Sequence, residues 1–202
     1  MLSLTKELQR TYEYKGHEYH INFAFDNILR WYEMIEDDAM SEEEKVILAF
    51  EMLFPGVETE DADLIVGGVQ SVADYIQASP YGNGANDPDT GFSTPDRYYS
   101  FTQDAEAIYA SFMSQYGIDL VEQQGKLHWD KFKALFSGLE EHTAFKEIVS
   151  IRTRDTSQME GKELNEFKSI QNFYALNDDR SVEHDNQAMN DAFTALKAWA
   201  TS

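Results

Sequence analysis

Residues 80 to 97 read PYGNGANDPDTGFSTPDR, and no helix or strand can run through them. Three of the chain's four prolines and three glycines fall in these eighteen positions, with almost no aliphatic side chain between them. Proline removes a backbone donor, glycine loosens the chain, and Asn and Asp form local turns. The segment therefore reads as a linker or long surface loop. The expected organisation is 1–79 as a hairpin plus helices, 80–97 as the connection, and 98–202 as a C-terminal helical region.

Both halves carry apolar residues at helical spacing. Before the break, Tyr12-Glu13-Tyr14-Lys15-Gly16-His17-Glu18-Tyr19-His20-Ile21 alternates aromatic and polar residues around Lys-Gly, which predicts a short β-hairpin. Two strands alone are marginal, so the hairpin must pack on helices or pair with another chain. Asp26 or Asn27 is positioned to cap a helix bearing Ile28, Trp31, Tyr32 and Ile35. Ser41, with Glu44 three residues on, forms a capping box ahead of Val46, Ile47, Phe50, Leu53 and Phe54. A third helix is expected over about 61 to 78, where Gly67-Gly68 either weakens it or admits a close neighbour.

After the break, helices are expected over 102 to 116, with Gly117 as C-cap, and from Trp129 through Phe132, Leu135 and Phe136. Thr143 should cap a further helix bearing Phe145, Ile148 and Val149. Two more follow, one with Leu164, Phe167, Ile170 and Phe173, the other with Met189, Phe193, Leu196 and Trp199. The fold class is mainly α, a helical bundle-like architecture with a small N-terminal β-hairpin.

Sixteen bases against 37 acids give a net charge of −21. Such a surface repels phosphate backbones and anionic lipid, so neither nucleic acid nor membrane is an expected partner. Its plainest use is to keep the chain soluble. Residues 36 to 63 hold eleven acids and one base, Lys45; residues 126 to 154 hold six bases and four acids, a local net of +2. This asymmetry allows an internal contact between the halves or head-to-tail association into a homo-oligomer. Otherwise the bases simply decorate an amphipathic helix.

Nothing in the sequence assembles a catalytic centre. Cysteine is absent, which removes disulfides, thiolate zinc sites and a cysteine nucleophile. His17 and His20 are three apart in a hairpin, whereas zinc-protease chemistry needs histidines one helical turn apart with a glutamate between them. Asn83, Asn86, Asp87, Asp89 and Gly91 offer oxygen, but in no register that supplies a calcium-binding loop. No phosphate-binding glycine loop, nucleophile elbow or dinucleotide fingerprint occurs. The expectation is a non-enzyme without metal or cofactor. The N-terminus MLSLTKELQR lacks signal-peptide character and no stretch has the length of a membrane span, so an intracellular protein is expected.

Residues 109 to 155 read YASFMSQYGIDLVEQQGKLHWDKFKALFSGLEEHTAFKEIVSIRTRD. The order Tyr116-Gly117-Ile118-Asp119-Leu120, Leu127-His128-Trp129, Phe132, Leu135, Gly138-Leu139, Phe145 and Ile151-Arg152-x-Arg154 resembles the bacteriophage gene-product-fifteen family. So does the preceding Phe101-x-x-Asp104-Ala105-x-x-Ile108-Tyr109, and the likeness continues weakly into the N-terminal hairpin and first helices. The resemblance implies a gene from the tail module of a long-tailed phage or prophage, between the tail-tube and tape-measure genes. Proteins from that position look like tail assembly chaperones, which coat the apolar-striped tape measure protein in the host cytoplasm until tail-tube protein polymerises around it. The family brings no catalytic residue and no cofactor. A structural component retained in the virion, a tail-completion or connector protein, is the alternative. For partner contact the reading selects Trp129, Lys133, Phe136, Ile151, Arg152 and Arg154.

Overall fold

Lys15 and Gly16 both take positive φ, 49° and 78°, and that pair of angles folds the first strands back on each other. In the computed structural model, which describes residues 2–35, 37, 39–78 and 98–177, β1 (Thr11–Tyr14) pairs antiparallel with β2 (His17–His20). The register sets Thr11 opposite His20 and Tyr14 opposite His17. The segment 80–97, its Asn83-to-Gly91 oxygen cluster, and the helix expected around Met189 to Trp199 lie outside the described residues.

Seven helices follow among the described residues: α1 (Phe25–Ile35), α2 (Glu42–Leu53), α3 (Ala62–Gln77), α4 (Ala105–Tyr116), α5 (Trp129–Ser137), α6 (Ala144–Thr153) and α7 (Gly161–Tyr174). The mainly α expectation holds, hairpin included. The chain forms two compact units. Unit 1 contains the described residues up to 78 together with Gln124–Ala134; unit 2 contains the described residues from 98 to Gln123 and from Leu135 to 177.

In unit 1, α1 packs on α2, α2 on α3, and α3 on β1. The core between them holds Ile28, Trp31, Leu53, Phe54, Val69 and Val72, each essentially inaccessible to solvent. Each such side chain contributes about 1.5–3 kcal/mol by leaving water. The glycine pair in α3 serves close packing. A Cβ on Gly68 would lie 3.0 Å from the Phe54 ring, and one on Gly67 would lie 2.8 Å from the Tyr12 hydroxyl.

The segment Gln124–Ala134 stitches onto the start of α1. The Phe25 amide donates to Leu127 O at 2.9 Å and the Trp129 amide to Phe23 O at 2.7 Å, forming a two-bond bridge between Ala24 and His128. The Gly125 amide donates to Asp26 Oδ1 at 2.8 Å. Asp26 is thus not a helix cap. It lies within the first turn of α1, shared between Gly125 and an ion pair with Arg30 one turn on. Asn27 is not a cap either, because its amide donates to the carbonyls of Asn22 and Met52 and ties α1 to α2.

The other starts follow the sequence more closely. Ser41 Oγ accepts from Glu44 N while Glu44 Oε2 accepts from Ser41 N, a complete capping box. Asp61 caps α3 by accepting from Asp63 N and Leu64 N, and the ammonium of Lys15 holds its carboxyl below the usual range.

In unit 2, α4 packs on α6 and α6 on α7, around Ile108, Phe112, Leu139 and Phe145. Gly117 closes α4 in the left-handed region, φ 65°, as its position predicted. The helix begins at Ala105 rather than 102, and the Asp104 carboxylate, taken by Ser100 N and Arg152, does not cap it. Thr143 occupies the N-cap of α6, but its hydroxyl donates to Glu140 O. The amide of Phe145 finds its acceptor on α4 instead, in Ser111 Oγ at 3.0 Å. Ser111, itself fully buried, donates to Ala107 O. Tertiary packing thus supplies the cap that local sequence suggested.

Candidate partner-binding surface

The six residues selected for partner contact fall in both units. In unit 1, Trp129 opens α5 with its indole buried beside Tyr32 and Phe132, ring centroids 6.0 and 5.7 Å away. Its Nε1–H makes no hydrogen bond among the described residues. Lys133, one turn later, sends Nζ to Ile76 O and Ala78 O, both at 3.3 Å. These carbonyls lie at the C-terminal end of α3, where a cation meets the negative end of the helix dipole. Lys133 acts there as a C-terminal cap.

In unit 2, Phe136 is half-buried in a cluster with Tyr99, Phe101 and Phe145, ring centroids 5.4, 5.2 and 4.9 Å away. Ile151, also half-buried, gives its carbonyl to Gln171 Nε2. Arg152 has the most hydrogen bonds of the six. Nη1 meets Asp104 Oδ2 and Nη2 meets Oδ1, both at 2.7 Å, and the guanidinium also donates to the carbonyls of Tyr98 and Tyr174. Arg154 is exposed and lies over the Phe167 ring, 5.1 Å from its centroid. Three of the four cationic or indole groups chosen for partner contact therefore have internal roles in these packing arrangements: Trp129, Lys133 and Arg152.

His128, from the Leu127-His128-Trp129 stretch, has a definite protonation pattern. Its Nδ1 accepts from the Asp130 amide at 3.1 Å, so Nε2 carries the proton and donates to Gln9 O at 3.0 Å. Burial pushes its pKa below the ordinary histidine value. Asp130, beside it, accepts from the Tyr75 hydroxyl, and burial raises that phenol's pKa. These three residues from two parts of the chain form a polar seam within unit 1. Among the described residues, no cluster of three or more histidines or carboxylates is arranged to hold a metal ion. No described helix is long and apolar enough to cross a membrane.

One concavity is lined by none of the selected residues. A groove of about 790 Å³ runs along the last turns of α2 and the connector to α3, lined by Ile47, Phe50, Glu51, Phe54, Val57 and Glu60 among others. Ile47, Phe50, Glu51 and Phe54 share one helical face by their three- and four-residue spacing. The connector turns at Gly56, φ 80°, and Val57 to Glu60 form the far wall. The apolar stripe over 46 to 54 was legible, but its partly open end was not, because the wall comes from four residues with no periodic pattern. Elsewhere, large apolar side chains stand exposed at Met113, Val121, Ile170 and Phe173.

The sequence family described as Bacteriophage Gp15 protein matches residues 4–176. No curated protein and no solved structure gives a match.

Proposed function

Because this chain belongs to the Bacteriophage Gp15 protein family, and so is a structural or tail-related phage protein, we propose that it serves as a tail assembly chaperone. It binds the tape measure protein, the tail-tube protein or both, in the host cytoplasm, and works by holding a surface rather than by catalysis. One observation carries the reading beyond the family. Large apolar side chains, among them Ile47, Val121, Ile170 and Phe173, stand exposed on a chain of net charge −21. A binder of apolar-striped helix needs apolar contact area, and a strong like charge that keeps the loaded complex apart from its neighbours.

Co-expression with the tape measure protein of the same phage tests the reading. The chaperone should raise that protein's soluble yield and co-purify with it. Mass spectrometry of purified virions supplies the second arm: a chaperone is absent or trace there, and stoichiometric presence overturns the reading in favour of a retained tail-completion or connector component.

A further inference from the structure

We infer that the groove between α2 and the 57–60 connector is a docking site for a polypeptide segment that places apolar side chains next to lysine or arginine. The inference deepens the chaperone reading, and rests on it for the source of the segment.

The floor is apolar: Ile47, Phe50, Phe54 and Ile65 line it, and Ile47 is 39% exposed. The rim is acidic: Glu51, Glu58 and Glu60 line the same groove. Among the described residues, none of these three glutamates makes an ion pair or side-chain hydrogen bond, and no lysine or arginine lines the groove. The nearby cations are engaged elsewhere. Lys45 is buried against Glu42 at 3.4 Å, and Lys15 pairs with Asp61 at 3.0 Å. Among the described residues the rim's field is therefore uncompensated, and it faces whatever covers the floor.

That combination selects among occupants. A phosphate-bearing or acidic ligand is repelled. A second copy of this chain is a poor match, since its own net charge of −21 opposes approach to an acidic rim. A segment with leucine-like side chains flanked by bases satisfies both floor and rim. The apolar part provides affinity, and the bases select register and orientation.

Fluorescence anisotropy with short labelled synthetic peptides tests the inference on the full chain. The probes are an amphipathic leucine–lysine peptide, its leucine–glutamate counterpart, and a serine–lysine peptide lacking apolar side chains. Wild-type protein should bind the first and neither of the others, and binding should weaken with salt. The triple substitution E51Q/E58Q/E60Q should weaken it about tenfold. So should Ile47→Asn, with melting curves confirming that each variant is folded. A control of equal charge change placed elsewhere, E13Q/E141Q/E163Q, should leave affinity within about twofold if the groove is the site. Equal weakening by the control, or no weakening by either groove variant, overturns the inference.

Co-purification with the tape measure protein separates this inference from the chaperone reading. If wild type and both groove variants retain the tape measure equally, the groove is refuted and the chaperone survives. If peptide binds at the groove but the tape measure does not co-purify, the chaperone reading alone fails.

Discussion

Arg152 lays its guanidinium in bidentate contact on the carboxylate of Asp104, 48 residues earlier, with both side chains more than nine-tenths buried. A pair so enclosed is held by geometry and by its extra acceptors, Tyr98 O and Tyr174 O. Removing one member leaves the other charged and uncompensated. Arg152→Met should therefore destabilise unit 2 by about 3–5 kcal/mol, read as a fall in melting temperature on the order of 10 °C. The double variant D104N/R152M should cost less than the two single changes together. Strict additivity in that cycle would show that the pair is not coupled.

Adjacent glycines in α3 should respond differently to the same change. Gly68→Ala drives a methyl group against the Phe54 ring, which is fully buried and cannot retreat. It should destabilise by about 1–3 kcal/mol. Gly67→Ala meets only the tip of the Tyr12 side chain, which can swing away. The gain of up to about 1 kcal/mol in helix propensity should then leave it neutral or slightly stabilising. Denaturant titration of the two variants side by side checks the contrast, and equal loss in both would refute it.

The cap of α2 offers a quieter test. Ser41→Ala removes the acceptor for Glu44 N and the partner of its carboxylate, and should cost about 1 kcal/mol. Ser41→Asp, which can accept the same N–H, should recover most of it. A Ser41→Ala variant as stable as wild type would show that the box contributes nothing.

Acid should loosen unit 1 through His128. The folded pKa is lowered by burial, so below the ordinary histidine value of about 6.5 the unfolded chain binds the proton first. Stability is fully present above that value and declines as pH falls toward the depressed folded pKa. Protonation of Nδ1 also removes the acceptor that Asp130 N uses. Facing groups act in both directions: Asp130 favours the charged ring, while Arg10 and the N-terminus oppose it. His128→Gln should lower stability at neutral pH yet flatten its dependence as pH falls below about 6.5. A pH profile identical in slope to wild type would remove His128 from this role.

The elements most legible in the sequence are those whose signals are local. Lys15-Gly16 marks a turn because few other pairs accept two positive φ angles. Ser41-x-x-Glu44 and Gly117 mark helix ends because the atoms that satisfy the backbone lie within a few residues. Where satisfaction comes from far away, the local signal misleads. Thr143 looks like a cap, yet Ser111 does the capping across 34 residues. Asp26 looks like a cap, yet Gly125 claims it across 99. The candidate site divides the same way. Lys133 and Arg152 are prominent in the sequence because each has a charge to satisfy, and the fold satisfies it internally, while the Trp129 ring is taken into packing with Tyr32 and Phe132. The groove escaped notice because a wall formed by an aperiodic connector has no signature until the helices on either side are in place.

The stitching of Gln124–Ala134 onto Phe23 and Phe25 also has a consequence in time. A ribosome delivers the hairpin and the first three helices long before it delivers Leu127 and Trp129, whose backbone closes that strand-like bridge. At about 5–20 residues per second, the roughly 50 residues from the end of α3 take roughly 3 to 10 seconds to make. For that interval the N-terminal half waits with one side of its core unsealed. A gene truncated after the proline-rich segment would leave it waiting permanently.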